Sequence, residues 1–366
     1  MRIACLCSNQ AREQCDNHWV TARSEGRHMI NTGFGFGEMG YEVGIFCNEF
    51  TTAMNVYKNV SLYHKWDLDK HYDLIVTYNP HGGYFGPGTG RTNYSKIFHV
   101  HFGGAPEDIP QAAILAKRPK TVAILSECFY GDTLQTNAQG VVFPKKVPFE
   151  YFPTPHPIAC YDKLTKQDFQ DFRFDKTKKK LKIWTVSSAW HVHDGQFVPD
   201  EKIVEILKVL RDDLNYEIDL TVTVCSLAST VHTVLVKEFN AKVIETYSYN
   251  YKGVLDRLME TDLCIVRGYI SHRGSSMLDI ASLGVPFIYV TGSSTEDPRT
   301  YNEITKKCID DCILLTDTHE ELVNKVVKYM ADPQPPVERM RNAYIDYSFP
   351  VWSKIAEALL KKYGLI

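Results

Sequence analysis

Short apolar runs recur through the first half of the chain, with longer amphipathic segments between them. The runs are Ile3–Cys7, Val43–Cys47, Leu74–Thr77, Ile97–His101 and Val122–Leu125. Continuous apolar runs of this length are typical of strands that are buried on both faces, and the segments between them are long enough for crossover helices. The pattern therefore predicts a parallel sheet with helices on both faces.

The same alternation begins again at residue 181. The predicted strands are Leu181–Val186, Ile218–Cys225, Val243–Ile244, Leu263–Val266, Pro286–Val290 and Asp311–Leu315. The helical segments are Asp200–Leu214, Thr230–Phe239, Tyr251–Glu260, Ser275–Leu283, Glu320–Met330 and Pro350–Tyr363. Two successive sets of strands and helices predict two α/β sheets in one chain.

The stretch Phe143–Lys180 interrupts this pattern, because it is rich in proline and charged residues. Such composition is typical of a segment that joins two domains. The length of 366 residues also exceeds the size at which a single hydrophobic core stops growing. We predict domains at 1–155 and 181–349, an interdomain connection at 156–180 and a terminal helix at 350–366 that crosses back to the first domain.

Composition favours a globular protein that keeps its thiols reduced. The chain is 44% hydrophobic with a net charge of -3, so it shows no broad basic surface for nucleic acid. Its ten cysteines are scattered without a Cys-x-x-Cys pair, as in intracellular proteins. No apolar run reaches the roughly 18 residues of a membrane helix. We expect no membrane span and a cytoplasmic location.

Several motifs resemble known sites but lack the required context. Gly35–Gly40 satisfies G-x-G-x-x-G, yet a strand follows it instead of a helix, so we predict a turn that ends a helix. Phe85–Thr92 lacks the first glycine and the lysine of a phosphate-binding P-loop. Two histidine pairs have no third ligand at a recognised spacing, and we predict no metal site: His99 with His101, and His191 with His193.

The segment from Thr261 to Leu315 has the most specific pattern. A strand ends at Arg267-Gly268, and a loop through Arg273-Gly274-Ser275-Ser276 opens a helix that contains Asp279. A helix N-terminus offers unpaired N–H groups and a partial positive charge, which suit a diphosphate. Asp279, one turn into the helix, is placed to bond ribose hydroxyls. Ordinary helix capping explains any one of these residues equally well.

These residues resemble the donor half of the GT-B glycosyltransferases, notably the peptidoglycan N-acetylglucosaminyltransferases and the small-molecule glycosyltransferases. The resemblance spans most of residues 181–366. It implies two doubly wound, Rossmann-like domains that face each other across a cleft, with the acceptor bound by 1–155 and a nucleotide-diphosphate sugar by 181–349. By the same resemblance, the pyrophosphate is bound by Ser187, Ser188 and His191. The transferred sugar is bound by Asp297, Arg299 and Asn302.

Departures from the family pattern leave the identity of the donor open. The acid of the ribose contact is Asp279 where the family has Glu, the loop between Gly268 and Gly274 has extra residues, and no Gln stands beside Asp297. The family resemblance favours a UDP-sugar as co-substrate. It implies no further cofactor and no metal.

An inverting transfer needs a general base near the attacking hydroxyl of the acceptor, and the sequence leaves inversion or retention open. Ser8–Trp19 predicts a long polar loop after the first strand, in which Asp16 and His18 are candidates facing the cleft. His101 is a third candidate, since retaining members of the architecture keep a histidine at such a strand end. A hydrogen-bonded place at a strand edge explains each histidine equally well.

A narrower resemblance links the chain to the phage DNA β-glucosyltransferases, in segments such as Glu38-Met-Gly40, Tyr72–Val76 and Val186–Ser188. It implies a hydroxymethylated base of DNA as acceptor, and the host cytoplasm as location if the chain is of phage origin. Five basic residues are candidates for contacts with the DNA phosphates: Lys117, Arg118, Lys120, Lys145 and Lys146. They could equally be ordinary solvated residues of the protein surface.

The sequence thus predicts a glycosyltransferase and leaves two alternatives. A nucleotide-sugar 2-epimerase shares the architecture but needs no acceptor. A non-catalytic nucleotide-sugar-binding protein would keep the donor pocket while no base reaches the cleft. A third class, the nicotinamide-dependent dehydrogenases, has only the Gly35–Gly40 motif in its favour, and we do not expect it.

Overall fold

The computed structural model describes seventeen stretches of the chain: residues 1–6, 12–15, 18–21, 24–47, 54–64, 71–78, 94–101, 121–126, 149–152, 171–187, 200–224, 233–245, 251–268, 275–291, 312–314, 316–345 and 349–366. The chain divides into two compact units. The first contains Met1–Thr165 and Ile345–Ile366, and the second contains Lys166–Tyr344. The division between them falls inside the predicted connection at 156–180.

The first unit is built on an eight-stranded sheet of order β10-β9-β8-β7-β1-β4-β6-β5. All neighbouring strands are parallel except β5 and β6. The five predicted apolar runs form β1, β4, β7, β8 and β9. The bounds are β1 Arg2–Leu6, β4 Glu42–Cys47, β5 Met54–Tyr57, β6 Val60–His64, β7 Tyr72–Tyr78, β8 Tyr94–His101, β9 Thr121–Ser126 and β10 Phe149–Tyr151.

A two-stranded antiparallel hairpin follows β1, where the sequence predicted a polar loop over Ser8–Trp19. Its strands are β2, Arg12–Cys15, and β3, His18–Thr21, and Cys15 pairs with His18. The prediction of a loop was wrong for these residues. The segment Arg-Glu-Gln-Cys has no apolar alternation, and its pairing with β3 depends on backbone hydrogen bonds that leave no mark in the side-chain pattern.

Helix α1, Ser24–Glu38, connects the hairpin to β4 and ends as predicted in a glycine turn. Gly40 has φ +86°, and the amides of Gly40 and Tyr41 donate to Gly37 O and Phe36 O. This is a Schellman motif, in which glycine takes the left-handed backbone and the orphan carbonyls find donors. The G-x-G-x-x-G motif therefore lies in a helix and its C-cap.

The second unit has a six-stranded parallel sheet of order β13-β12-β11-β14-β15-β16. Its strands are β11 Lys180–Ser187, β12 Glu217–Val224, β13 Lys242–Glu245, β14 Leu263–Gly268, β15 Phe287–Thr291 and β16 Ile313–Leu314. The third-second-first-fourth-fifth-sixth order is that of the Rossmann fold. The predicted second α/β sheet is confirmed.

Helices pack on this sheet and bury its apolar side chains. They are α2 Asp200–Lys208, which continues into a π-helical turn at Val209–Asp213, α3 Thr233–Phe239, α4 Tyr251–Glu260, α5 Ser275–Ser282, α6 His319–Ala331 and α7 Gln334–Ile345. One core joins Leu181 and Ile183 of β11 to Leu207 of α2 and to Leu322 and Val326 of α6. Each such side chain contributes roughly 1.5–3 kcal/mol when fully buried.

The terminal helix α8, Phe349–Lys362, belongs to the first unit. Its Trp352 is fully buried between Phe36 and Phe152, with ring centroids 5.1 and 5.5 Å away. Among the described residues, no helix has both the length and the apolar character needed to span a bilayer.

Candidate functional site

The order of the second sheet creates a point at which successive connections run to opposite sides. Strands β12 and β13 lie on one side of β11, and β14, β15 and β16 lie on the other. The two crossover connections diverge there and leave a crevice outside the carboxyl ends of β11 and β14, where open α/β sheets bind ligands. The candidate site of the second unit is at this crevice.

Strand register places three of the predicted donor residues side by side at this crevice. Ser187, the last residue of β11, pairs with Arg267 of β14. Gly268, the last residue of β14, pairs with Thr291 at the end of β15. The structure therefore brings together Ser187, Arg267 and Gly268, although up to 81 positions separate them in the chain.

Helix α5 begins with Ser275 and Ser276 and carries Asp279 in its second turn. Asp279 is only 5% exposed, and its backbone carbonyl accepts a hydrogen bond of 2.8 Å from Ser282 Oγ. Buried neighbours hold the helix, including Met277, Leu278, Ile280 and Ala281. An N-terminus at this position presents its unpaired N–H groups to the carboxyl side of the sheet.

A buried ionic network ties two other elements together near the same edge. Lys202, in the first turn of α2, is 8% exposed, and its Nζ lies 2.9 Å from Asp317 O and 3.5 Å from Glu205 Oε2. The Asp317 carboxylate accepts from Lys325 Nζ at 2.7 Å and from Leu314 N at 2.7 Å. This network fixes the start of α2 against the turn between β16 and α6.

Sequence reasoning missed this network, because lysines between acidic residues look like a solvated surface. One signal was present: a cation in the first turn of a predicted helix opposes the helix dipole. Such a residue needs a specific partner, which Asp317 O provides here.

The remaining predicted donor residues are outside the described part of the structure: Ser188, His191, Arg273, Gly274, Asp297, Arg299 and Asn302. Side chains at Ser187, Arg267, Ser275 and Ser276 are also outside it. Of the candidate bases, His101 is the last residue of β8 and pairs with Ser126. His18 opens β3, and Asp16 is not among the described residues. All these roles stay predictions.

The thiols of Cys5 and Cys264 are unsuited to act as nucleophiles or metal ligands. Cys5 and Cys264 are completely buried in β1 and β14, and burial raises the pKa of both thiols well above the ordinary value. A neutral thiol is a weak nucleophile and a weak metal ligand. In the stretches that the structure describes, no three His, Cys, Asp or Glu side chains cluster as metal ligands.

Comparison with known proteins gives results for structure only, because the sequence matches no protein-family profile and no curated protein. Trehalose-6-phosphate synthase OtsA is 11% identical with a TM-score of 0.58, and the match covers 100% of this chain and 99% of that one. WaaG, a glycosyltransferase involved in lipopolysaccharide biosynthesis, is 12% identical with a TM-score of 0.53, covering 97% and 98%.

A third similar structure is an alpha-glucosyltransferase in complex with UDP-glucose and DNA containing an abasic site. It is 10% identical with a TM-score of 0.56, and the match covers 95% of this chain and 96% of that one. These likenesses extend over nearly the whole chain. The chain has the fold of the GT-B glycosyltransferases.

Proposed function

We propose that the protein is a glycosyltransferase that moves a sugar from a nucleotide-diphosphate sugar, a UDP-sugar, to an acceptor hydroxyl. The observation that carries the proposal is the crevice between β11 and β14, which has the Rossmann strand order and borders the start of α5. The likeness to whole glycosyltransferase chains supports it, including one that holds UDP-glucose.

The donor side of the reaction follows from this arrangement. The bond between the anomeric carbon and the diphosphate breaks, and the leaving diphosphate takes the electron pair. Backbone N–H groups at the start of α5, together with Arg267, stabilise the charge that develops there. Asp279 orients the ribose, and Ser187, at the end of β11, lies beside the diphosphate.

The acceptor side supplies the nucleophile. The acceptor oxygen forms the new bond to the anomeric carbon, and its proton passes to a general base. His101 is our first candidate because it ends a strand of the first sheet at the carboxyl edge, where α/β sheets hold ligands. Asp16 and His18 are the alternatives.

For the acceptor we propose a hydroxymethylated base of DNA. The similar structure that holds UDP-glucose also holds DNA, and short segments of this sequence resemble phage DNA β-glucosyltransferases. An enzyme that modifies a base must take it out of the duplex stack, at a cost of a few kcal/mol. Hydroxymethylcytosine in single strands should therefore be glycosylated faster than in duplex DNA if the cost of base extrusion limits the rate.

Thermal unfolding with a panel of nucleotide-sugars tests the donor claim. A donor at about a thousand times its Kd stabilises the protein by about 4 kcal/mol and raises the Tm by several degrees. The panel is run with and without duplex DNA containing hydroxymethylcytosine. Absence of a shift with every nucleotide and nucleotide-sugar would overturn the proposal.

Product analysis separates the proposal from its alternatives. Incubation with donor alone converts the sugar to its epimer only if the protein is a 2-epimerase. Transfer to acceptor that is lost in His101→Ala but kept in Asp16→Ala and His18→Ala would identify the base. Donor binding with no turnover on any acceptor would leave a nucleotide-sugar-binding protein.

A further inference from the structure

The C-terminal end of α5 is held by two arginines from distant parts of the chain. Arg341 Nε, in α7, donates to Ala281 O at 2.8 Å, and Arg173 Nε donates to Leu283 O at 3.2 Å. The helix ends at Ser282, and Gly284, which has φ +71°, closes a Schellman turn just after it. Two guanidinium groups thus lie where the helix dipole is negative, which is the favourable end for a cation.

Arg173 binds more than α5. Its two terminal nitrogens donate to Met259 O at 2.6 Å and Leu258 O at 2.9 Å, both in the last turn of α4. Its own backbone amide donates to Gly284 O at 2.9 Å. One side chain therefore satisfies the terminal carbonyls of two neighbouring helices, as the fixed fork of a guanidinium allows and a lysine does not.

The same segment also fixes the two strands that border the crevice. Lys178 Nζ lies 2.5 Å from Asp262 Oδ1, and the amide of Lys182 donates to Asp262 Oδ2 at 2.8 Å. Asp262 precedes β14, and Lys182 is in β11. Residues 173–182 thus hold α5, β11 and β14 at the ends opposite to the crevice.

Both arginines are held in partly dehydrated surroundings. Burial lowers the pKa of Arg173 and of Arg341, while nearby carboxylates act in the other direction. A guanidinium remains charged under such conditions. Removal of the Arg173 side chain takes a donor from Leu283 O and Met259 O, whereas Leu258 O and Ala281 O keep the amides of Thr261 and Gly284 as donors.

We infer that Arg173 is a positioning residue for the donor site, with Arg341 as a second, weaker anchor of α5. The inference rests on the proposed function, because it assumes that the start of α5 binds the donor diphosphate. Helix α5 is short and is buried from Met277 to Ser282, so a loss of anchoring at its last turn shifts its first turn as well. The N–H groups that meet the diphosphate then lose their alignment.

Calorimetric titration with UDP tests this inference, since UDP carries the part of the donor that α5 would bind. We expect Arg173→Met to raise the Kd for UDP roughly tenfold or more, because charge-assisted hydrogen bonds are lost. Arg173→Lys should restore part of the affinity, because an ammonium reaches some of the three carbonyls. Arg341→Met should have a smaller effect than Arg173→Met, because Ala281 O, which accepts from Arg341 Nε, keeps the amide of Gly284 as a donor.

A matched control is Arg211→Met in the same unit. The Arg211 side chain is 40% exposed, pairs with the neighbouring Asp212 and lies over the ring of Phe239 at 5.0 Å, and neither of these contacts involves α5. This variant should keep the wild-type Kd for UDP. An equal loss of affinity in the Arg211 and Arg173 variants would overturn the inference.

Amide hydrogen exchange in the ligand-free protein separates the inference from the proposed function. Arg173→Met should speed exchange in Met277–Leu283, while peptides of the first unit keep their protection. If the wild-type protein does not bind UDP, the proposed function fails, and unchanged exchange in α5 would show that the anchoring is wrong too. Faster exchange in α5 with an unchanged Kd for UDP would overturn the link to the donor. If Arg173→Met does not fold, the test uses Arg173→Lys and Arg341→Met instead. Unchanged Kd values for UDP in both variants would likewise overturn the link between the arginines and the donor site.

Discussion

Gly35→Ala should destabilise the first unit, because the added methyl group has no room. A Cβ at Gly35 would lie 2.5 Å from Trp352 Cζ3, 2.7 Å from Cε3 and 3.0 Å from Cη2. Carbon atoms in contact are normally about 3.5–4.0 Å apart, so the indole must retreat by about 1 Å. Trp352 is fully buried between Phe36 and Phe152, and it therefore has no free side toward which to move.

Two opposing contributions set the size of the effect. Alanine gains about 1 kcal/mol over glycine in the interior of a helix. Overpacking of a dense core costs about 1–3 kcal/mol, and a contact of 2.5 Å with a ring that cannot turn lies at the upper end. We expect a net loss of about 1–2 kcal/mol. For a unit of this size, that lowers the Tm by about 2–8 °C.

Urea unfolding of wild type and variants measures the loss, and a double-mutant cycle locates it. Trp352→Phe removes the ring atoms that the new methyl would meet, so Gly35→Ala should cost less in that background, with a coupling of about 1 kcal/mol. Gly364→Ala is the control for backbone strain alone, because Gly364 has φ +62° and an added Cβ meets no atom within 4 Å. Additive losses in the cycle would refute the argument from packing.

Three further predictions concern buried or capping groups. Thr185 Oγ1 is buried and has no hydrogen-bond partner among the described residues, so Thr185→Val should raise the free energy of unfolding by about 1 kcal/mol; a loss of stability in urea would contradict this. Thr318 and Glu321 form a capping box at the start of α6, in which the amide and hydroxyl of Thr318 donate to the Glu321 carboxylate and lower its pKa. The box stabilises α6 fully above the ordinary pKa of 4.5, and this contribution is lost as pH falls through the lower pKa of the folded state. Glutamine keeps the hydrogen-bonding pattern without the charge. The difference in free energy of unfolding between wild type and Glu321→Gln should therefore narrow between pH 7 and pH 3, and a constant difference would show that the charge of the carboxylate does not contribute. Burial raises the pKa of Cys5 and Cys264, so site-resolved alkylation at pH 8 should leave both unmodified until the protein unfolds; rapid labelling of the native protein would show that they are accessible.

Long apolar runs made the centre of both sheets predictable from sequence. Strands such as β1 and β14 are buried on both faces, and their composition therefore reports burial directly. The hairpin β2–β3 and the edge pair β5–β6 were not predicted, because polar or mixed short strands at an edge have no such signature. Helix α7 was also missed, although Pro335 and Pro336 in its first turn suit a helix start.

The candidate site was predictable only where it follows from local pattern. The glycine and serine segment before Asp279 indicated a helix start that approaches a ligand, and α5 does begin at Ser275. The pairing of Ser187 with Arg267 depends on strand order, which no local window contains. Arg173 was unpredictable for the same reason, since its three acceptors lie 85 to 110 residues away along the chain.

The low sequence identity to the similar structures affects the two halves of the proposal differently, namely donor binding and acceptor binding. At 10–12% identity nearly every side chain of the site can differ between this chain and the similar structures, while the fold is shared. A diphosphate is bound largely by backbone N–H groups at a helix start, and these do not depend on the identity of the side chains. An acceptor is selected by side chains on loops, which vary between proteins of one fold. The topology therefore supports the donor half of the proposal more directly. Substitutions that disturb the crevice between β11 and β14 should change donor affinity to the same extent whichever acceptor is present. Substitutions at Asp16, His18 and His101 should instead change turnover in a way that depends on the acceptor.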